Sequence, residues 1–282
     1  MAPTQTREPK VKITRSPRQN PCFDEVLSNE VNLRMMQIPG GTFNMGAPEN
    51  EPGSLDREKP QHEVNIETFF LGKYPVTQAQ WRFIAKLAPL EMELPLNPSR
   101  FEGNNNPVER ISWYEAIEFC QRLSRHSRRQ YYLSSEAQWE YACRAGTTTP
   151  FHFGNTLTAE LANYRGTDNE KYNWSGSYGS GPKGEYRETT TPVDYFEVAN
   201  AFGLCDMHGN IWEWCADTWH DNYEGAPTDG SAWLDKIEES NRIIRGGSWD
   251  GNPRDCRSAT RDLNWPEAHS YVVGFRVCCR VP

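Results

Sequence analysis

The sequence predicts an α+β fold made of short strands, a few helices and long loops. Two segments near the N-terminus alternate apolar and polar residues, and three helix-start motifs follow in the middle of the chain. The second half is mostly loops and is rich in glycine, serine and proline between residues 173 and 192. Of the 282 residues, 37% are hydrophobic and 24% are charged, which indicates a globular protein with its own core.

Charge and hydropathy argue against several classes of function. Lys and Arg number 30 against 38 Asp and Glu, and the resulting net charge of -8 argues against binding to nucleic acid. No run approaches the ~18 apolar residues that a membrane span needs, so no membrane partner is expected. The eight cysteines form no CxxC pair and no apolar secretion signal opens the chain, so we expect a cytoplasmic protein with reduced thiols.

Residues 1–25 are predicted to form a flexible basic tail ahead of a single domain, residues 26–282. Between Met1 and Asn20 the chain carries five basic residues against one acidic residue, with several prolines and no periodicity. Such a tail suits either a docking arm for an acidic partner or a solvated linker, and the linker is favoured.

Alternation of apolar and polar residues predicts the strands. Residues 31–38 alternate, Pro39 and two glycines turn the chain, and residues 42–45 are predicted to return as the hairpin partner. Residues 62–71 alternate again and predict one further strand. Shorter strands are predicted in the second half at residues 211–215, 242–245 and 274–279.

Three capping boxes predict the starts of three helices, because a hydroxyl and a side chain three residues later satisfy the first free N–H groups. Their positions are Thr77–Gln80, Ser112–Glu115 and Ser135–Gln138. Cys120 and Cys143 fall among the apolar positions of the second and third helices, so we expect both to be core residues rather than reactive thiols.

Sequence motifs for common catalytic sites are absent. The chain contains no P-loop, no GxGxxG after a strand, no HExxH and no GxSxG, and its six histidines are not at metal-binding spacing. The segment from Gly203 to Cys215 allows a calcium site in which Asp206 and Glu213 supply carboxylates. Spacing alone favours the alternative, a polar turn closed by Asp206 and Asn210 in which Glu213 pairs with an arginine.

Successive blocks of the sequence resemble the formylglycine-generating enzyme (sulfatase-modifying factor) superfamily, in the family's order, over roughly residues 30 to 280. The blocks are residues 35–46, 73–77, 106–113, 133–142, 203–214, 245–249 and 274–276. The resemblance implies a C-type-lectin-like fold with small antiparallel sheets, two to three helices and long loops. It also raises the calcium hypothesis, because family members bind calcium through positions that match Asp206, the carbonyls of Gly209 and Ile211, and Glu213. A second family calcium site begins at positions that match Asn163 and Tyr164.

The same resemblance implies a catalytic site that this sequence lacks in part. Active members oxidise a substrate cysteine with copper and oxygen, and they need two cysteines five residues apart because paired thiolates hold Cu(I). Here Gly251 stands at the first position and Cys256 at the second. We therefore expect no copper and no enzymatic activity. The alternatives are a copper-dependent oxidase acting on a protein cysteine through Cys256, and a regulatory pseudoenzyme subunit.

Residues 250–273 resemble the variable segment of proteins diversified by retroelements, in which adenines of Asn codons are altered. Nine residues are reachable from an Asn codon in this way, while Asn252 and Asn264 would be unaltered. This layout predicts a recognition surface for an unknown protein or small-molecule ligand, with aromatic anchors among small polar residues, as in antibody paratopes. The alternative is an ordinary surface loop with Trp265 tucked into the core. The predicted ligand-binding residues are Asp250, Gly251, Asn252, Asp255, Thr260, Asp262, Leu263, Asn264, Trp265, Ala268, His269, Ser270, Tyr271 and Val272.

Overall fold

The structure is a computed structural model that describes residues 12, 14, 16, 19–235 and 240–281. Most of the predicted tail, residues 1–25, lies outside these residues. The first strand, β1 (Cys22–Val26), begins inside the predicted tail and pairs with the next strand. The domain therefore starts about four residues earlier than expected, because β1 adds an edge to a sheet.

A five-stranded sheet combines strands from the first half of the chain with one strand from near residue 278. Its order is β1-β2-β5-β11-β6, with β2 at Asn32–Ile38, β5 at Phe69–Gly72, β6 at Tyr131–Leu133 and β11 at Val277–Cys279. All neighbouring pairs are antiparallel. Because the last strand lies between β5 and β6, the C-terminal segment completes a sheet that the first half of the chain begins.

The strand predictions of the N-terminal region need two corrections. The segment predicted as one strand over residues 62–71 is divided into β4 (His62–Ile66) and β5. The expected hairpin partner, now β3 (Gly41–Met45), pairs with β4 in a separate two-stranded sheet, and β2 pairs with β5 instead. The Gly40 N–H, between β2 and β3, donates to the Thr68 hydroxyl, between β4 and β5. This bond links the two connections that run from one sheet to the other.

Three helices begin at the three predicted capping boxes, and all three boxes are confirmed. The helices are α1 (Gln78–Ala85), α2 (Trp113–Ser127) and α3 (Glu136–Arg144). In each, the N-cap hydroxyl accepts the N–H three residues later and that residue's side chain accepts the N-cap N–H. Among the described residues, no helix is long and apolar enough to cross a membrane.

A four-stranded sheet carries the region that the sequence marks as functional. Its order is β10-β7-β8-β9, with β7 at Trp212–Thr218, β8 at Arg242–Arg245, β9 at Arg261–Asn264 and β10 at Val273–Phe275. β10 is parallel to β7, and the other pairs are antiparallel. Sequence alternation did not predict β9, and the segment predicted as one strand at residues 274–279 contributes to both large sheets.

The interior combines apolar clusters with ion-paired arginines. Trp81 stacks on Phe119 at 5.6 Å, and Phe275 meets both rings edge-on. Cys120 and Cys143 are buried, as predicted. Five fully buried arginines each pair with a buried glutamate, which supplies the charge partner that a buried cation requires. They are Arg122, Arg245, Arg257, Arg261 and Arg276.

Candidate functional site

The predicted recognition segment, residues 250–273, lies between two strands of the four-stranded sheet. After β8 the chain passes Trp249, makes a 3-10 turn at Pro253–Cys256, forms the edge strand β9 and reaches β10. Both flanking strands pair with β7, so the two ends of the segment are fixed by the same strand. The segment is therefore a long connection, interrupted by β9, whose two ends are anchored to β7.

An aromatic cluster surrounds Trp249 at the start of this segment. The Trp249 ring is 4% exposed and lies 5.3 Å from Phe101, 6.1 Å from Tyr186 and 5.9 Å from Tyr271 between ring centroids. Its indole N–H donates to the Tyr271 carbonyl at 3.4 Å. We call these four aromatic residues the Trp249 cluster. Tyr271 is 39% exposed and opens the cluster to solvent.

Asp250 is held beside the cluster by two donors. Arg165 donates to Asp250 Oδ1 at 2.7 Å, and the Tyr186 hydroxyl donates to the same oxygen at 2.5 Å. The Arg165 guanidinium also lies 3.8 Å from the centroid of the Tyr186 ring. Burial and the neighbouring carboxylate raise the pKa of Tyr186, so its hydroxyl stays a proton donor at neutral pH.

Arg100 and Glu109 support the other side of the cluster. The Arg100 guanidinium lies over the rings of Phe101 and Tyr271, at 5.2 and 5.0 Å from their centroids. Glu109 Oε1 accepts the backbone N–H groups of Arg100 and Phe101 at 2.5 and 2.9 Å, and Oε2 has no hydrogen-bond partner among the described residues. Burial raises the pKa of Glu109 to about 7.

Several predicted ligand-binding residues lie at the surface. Trp265 is 63% exposed, which excludes the alternative that its ring is tucked into the core. His269 is exposed, and its Nε2 lies 3.0 Å from a carboxylate oxygen of Glu115. Ala268, Ser270 and Val272 are half-buried and lead from Trp265 to the Trp249 cluster.

Other predicted residues lie along or near the edge strand β9. Asp262, Leu263 and Asn264 belong to this strand and are half-buried, as is Asp255. Arg57 donates to Asp262 at 3.4 Å. Burial and the nearby Asp262 carboxylate raise the pKa of Asp255. The segment thus has exposed or half-buried residues both at the Trp249 cluster and along the β9 edge.

Three predicted ligand-binding residues are buried and shape the loop instead. The Gly251 carbonyl accepts the Arg165 N–H at 2.9 Å. Asn252 Oδ1 accepts the Arg254 N–H at 2.9 Å, and the Thr260 hydroxyl donates to the Arg254 carbonyl at 3.0 Å. The Asn252 and Thr260 side chains thus bond backbone groups of the 3-10 turn, and all three residues are buried, so the expectation that they face a ligand needs correction.

Sequence reasoning missed four residues of the site: Arg100, Phe101, Arg165 and Tyr186. They come from loops far from the predicted segment along the chain, and no motif links them to it. Only the tertiary contacts with Trp249, Asp250 and Tyr271 bring them together.

Comparison with known families identifies the fold. Residues 23–281 match the sulfatase-modifying factor enzyme 1-like domain. The chain belongs to this family. It is 27% identical to the formylglycine-generating enzyme of Thermomonospora curvata, covering 88% of this chain and 93% of that protein. It is 28% identical to the inactive C-alpha-formylglycine-generating enzyme 2 of Bos taurus, covering 89% of each chain.

Two solved structures share the architecture of this sulfatase-modifying factor family member. PvdO from Pseudomonas aeruginosa has 30% identity and a TM-score of 0.77, covering 94% of this chain and all of that one (100%). Treponema denticola variable protein 1 has 22% identity and a TM-score of 0.73, covering 92% and 99%. The predicted α+β fold of C-type-lectin-like type is confirmed, with small sheets and three helices.

The copper site of the active family members does not fit this chain. Gly251 provides no thiol, and Cys256 is fully buried. A Cβ placed on Gly247 would lie 2.6 Å from Cys256 Sγ, so the backbone closes over the sulfur atom. Burial raises the pKa of Cys256 well above its ordinary value, which disfavours the thiolate that binds metal. Within the described ranges, no group of three or more His, Cys, Asp or Glu could hold a metal ion.

The first predicted calcium set does not fit either. Both carboxylate oxygens of Glu213 receive N–H groups of Arg276 at 2.9 to 3.2 Å, and Oε2 also accepts the Trp139 indole N–H at 2.8 Å. A guanidinium this close opposes a dication at the same carboxylate. Asp206 Oδ2 accepts the Asp194 N–H at 3.1 Å, and burial raises the pKa of Asp206 to about 6. The arginine-paired alternative describes Glu213 correctly.

The second predicted calcium set retains a free ligand atom. Asn163 is 1% exposed, and its Oδ1 has no hydrogen-bond partner in the described part of the chain. Its amide N–H groups donate to the Thr189 carbonyl at 2.9 Å and to Asn210 Oδ1 at 3.1 Å, which fixes the orientation of the side chain. Tyr164 is buried beside it. The Asn163 oxygen could serve as one of the about six to eight oxygen ligands that calcium takes.

Proposed function

We propose that this chain is a non-catalytic ligand-binding protein that recognises its ligand through the Trp249 cluster and the exposed residues of segment 250–273. One observation carries the proposal. The position that holds a copper thiol in active members is Gly251, and the Trp249 cluster next to it in the chain is flanked by Arg100 and Arg165. Rings and guanidinium groups can bind a ligand, but they supply no metal centre for oxygen chemistry.

The chemistry of the surface supports recognition. Tyrosine and tryptophan offer large contact areas and lose little rotamer entropy on binding. Tyr271 and Trp265 are exposed, and each could contribute about 2 kcal/mol if a partner buried it. Arg100 is held over Tyr271 before any ligand arrives, so the entropy cost of ordering this pair is already met.

We further propose that a retroelement diversifies this segment. The exposed or half-buried positions include Asp250, Asp262, Ser270 and Tyr271, all reachable from an Asn codon by changes at its adenines. The similarity to Treponema denticola variable protein 1 supports the fold of such a protein and nothing beyond the fold. The test is the gene: these codons should end in C or T, and a near-copy that keeps adenines should lie close by, next to a reverse transcriptase. Ordinary codon usage without a near-copy contradicts diversification.

Selection from a random peptide library displayed on phage tests ligand binding itself. Peptides selected on the wild-type protein should bind Tyr271→Ala and Arg100→Ala at least tenfold more weakly. Arg34→Ala, which removes an exposed arginine of β2 paired with Asp24, is the matched control and should bind as the wild type does. Peptides that bind all four proteins equally well would place recognition elsewhere and contradict the proposal.

A copper-dependent oxidase is the second candidate function, favoured by the similarity to the formylglycine-generating enzyme of Thermomonospora curvata. It predicts tight Cu(I) binding that is lost in Cys256→Ala, and oxygen-dependent conversion of a sulfatase-type cysteine peptide. With one enclosed thiol, we expect neither. Submicromolar Cu(I) affinity that depends on Cys256 would overturn our rejection of this candidate.

We also propose that calcium binds at Asn163, where the free Oδ1 supports a cation. A ligand that binds only the native state stabilises it, by about 2.7 kcal/mol at a concentration of 100 times the dissociation constant. Adding excess EDTA to protein purified with calcium should therefore lower the melting temperature, and restoring calcium should raise it again. An unchanged melting temperature in both steps contradicts the site.

A further inference from the structure

A surface cavity of about 570 Å³ lies at the C-terminal end of α2. Its lining consists of residues 127–130, at and just after the end of this helix, and of Arg280 and Val281, which follow β11. None of these residues belongs to the Trp249 cluster or to segment 250–273. The volume falls within the range of about 300–1,000 Å³ that small-molecule sites occupy.

The backbone brings three exposed arginines to this cavity. Arg128 caps α2 in the left-handed conformation, with a φ of +61°, and Arg129 follows it. The Arg280 N–H donates to the Gln130 carbonyl at 3.2 Å, so the end of β11 is joined to the chain next to Arg129. From the spacing of consecutive and hydrogen-bonded residues, the three Cα atoms lie within about 13 Å of one another. Extended arginine side chains can converge on one ligand across this distance.

Two of these three guanidinium groups lack an acidic partner across residues 19–235 and 240–281. Arg129 lies 3.3 Å from a carboxylate oxygen of Glu25, and its guanidinium lies 4.7 Å from the centroid of the Phe23 ring. The side chains of Arg128 and Arg280 form no hydrogen bond or ion pair in the same ranges. Glu25 offsets one positive charge and the negative end of the helix dipole offsets about half of another, so the lining keeps a net charge of about +1.5. Like charges gathered in this way repel, and a bound anion would relieve the repulsion.

We propose that this cavity binds a small organic phosphate monoester. Such a group carries a charge of about -1.5 to -2 at neutral pH, which matches the net charge of the lining. A guanidinium group can donate two parallel N–H bonds to a phosphate, and it also stacks on aromatic faces. A bare phosphate would leave most of the 570 Å³ unfilled, so the volume favours a molecule with an organic body that contacts Val281 and the arginine stems.

Three probes test the proposal in NMR titrations of the full chain. Phenyl phosphate and phenyl sulfate have nearly the same shape, but the sulfate carries a single negative charge. Inorganic phosphate carries the charge without the organic body. We expect phenyl phosphate to shift the amide signals of residues 127–130 and 280–281. We also expect it to bind at least fivefold more tightly than either of the other probes.

Arg128→Gln and Arg280→Gln should each weaken the binding of phenyl phosphate at least fivefold. Arg125→Gln is the matched control and should bind as the wild type does. It removes the same charge from an exposed position of the same helix, where the guanidinium already donates to the Ala88 carbonyl. Circular dichroism establishes that each variant folds, and if one does not, the wild-type titrations decide alone.

Several outcomes would overturn the proposal. Equal affinity for phenyl phosphate and phenyl sulfate would refute recognition of a doubly charged group, and equal affinity for inorganic phosphate would refute recognition of an organic body. Equal weakening by Arg125→Gln would show attraction to the whole basic surface instead of binding in the cavity. Absence of binding, or signal changes at the Trp249 cluster instead of residues 127–130, would also refute it.

Discussion

Replacing Glu109 by glutamine should make the protein more stable above neutral pH while leaving the geometry of the Trp249 cluster in place. Glu109 is fully buried, and its Oε1 accepts the N–H groups of Arg100 and Phe101. The amide oxygen of glutamine can accept the same two bonds. The substitution therefore removes the charge and keeps the acceptor that positions the loop under Tyr271.

The size of the effect follows from the pKa of Glu109. Burial raises it from an ordinary value of 4.5 to about 7. The folded protein therefore binds more protons than the unfolded chain between these values, so this carboxyl lowers stability as pH rises from about 4.5 to 7. At about 1.36 kcal/mol per pKa unit, the accumulated loss above pH 7 is about 3 kcal/mol.

Urea denaturation of wild type and Glu109→Gln at pH 5 and pH 8 measures this loss. We expect the variant to gain up to about 3 kcal/mol relative to wild type on going from pH 5 to pH 8. Asp206 and Asp217 also have raised pKa values, about 6 and about 7, but they are present in both proteins and cancel in the comparison. Glu102→Gln, the same change at an exposed neighbour, should show no such gain. A difference between wild type and Glu109→Gln that does not change with pH would refute the reasoning.

Two further predictions concern the scaffold, and urea denaturation checks both. Arg276→Met leaves the Glu213 carboxylate buried without its cation, so it should lower the free energy of unfolding by about 3–5 kcal/mol. Arg34→Met, at an exposed pair, should lower it by under about 1 kcal/mol. Similar losses for the two variants would contradict the role of the buried pair. Gly247→Ala places a Cβ 2.6 Å from a buried sulfur atom at a φ of +76°, and should destabilise more than Gly225→Ala, which has φ of +80° and no atom within 4 Å. Equal losses for the two glycines would show that backbone conformation alone sets the cost.

Local signals in the sequence were sufficient for the helices and for part of the strands. The capping boxes at Thr77, Ser112 and Ser135 involve residues three apart, so the chemistry that starts each helix is visible in a short window. The strand β8 was likewise predicted at its observed bounds. The short edge strand β9 shows no clear alternation, because its first residue, Arg261, is buried and the next three are all half-buried.

Pairing and site assembly could not be predicted in the same way. Nothing local indicates that β2 pairs with β5 rather than with β3, since that choice depends on tertiary packing. The candidate site shows the same limit. The sequence pointed to Trp265 and Tyr271, which are exposed, but it also selected Thr260, which holds the loop from inside. Residue type alone suggested a polar surface for the whole segment. Only the burial of each side chain in the structure separates residues that can contact a ligand from residues that hold the loop.

Segment 250–273 combines positions that can vary with positions that cannot. Arg257 pairs with Glu51 and Glu58 at 2.5 to 2.8 Å, and Arg261 pairs with Glu136 at 2.8 Å through two N–H groups, all inside the core. Losing Arg257 would leave two buried carboxylates unpaired and cost about 3–5 kcal/mol. Losing Arg261 would leave Glu136 with Arg245, at 3.3 Å, as its remaining cation.

These two arginines give the retroelement proposal a sharper test than codon composition. If the segment is diversified, a near-copy in the gene neighbourhood should differ from it at exposed or half-buried positions such as Asp262 and Tyr271, and should encode the same residues at Arg257 and Arg261. Diversification confined in this way changes the surface while the ion pairs of these two arginines keep the loop in place. A near-copy whose differences fall on either arginine would show that variation is not matched to this scaffold, and diversification of a working binding surface would then be rejected.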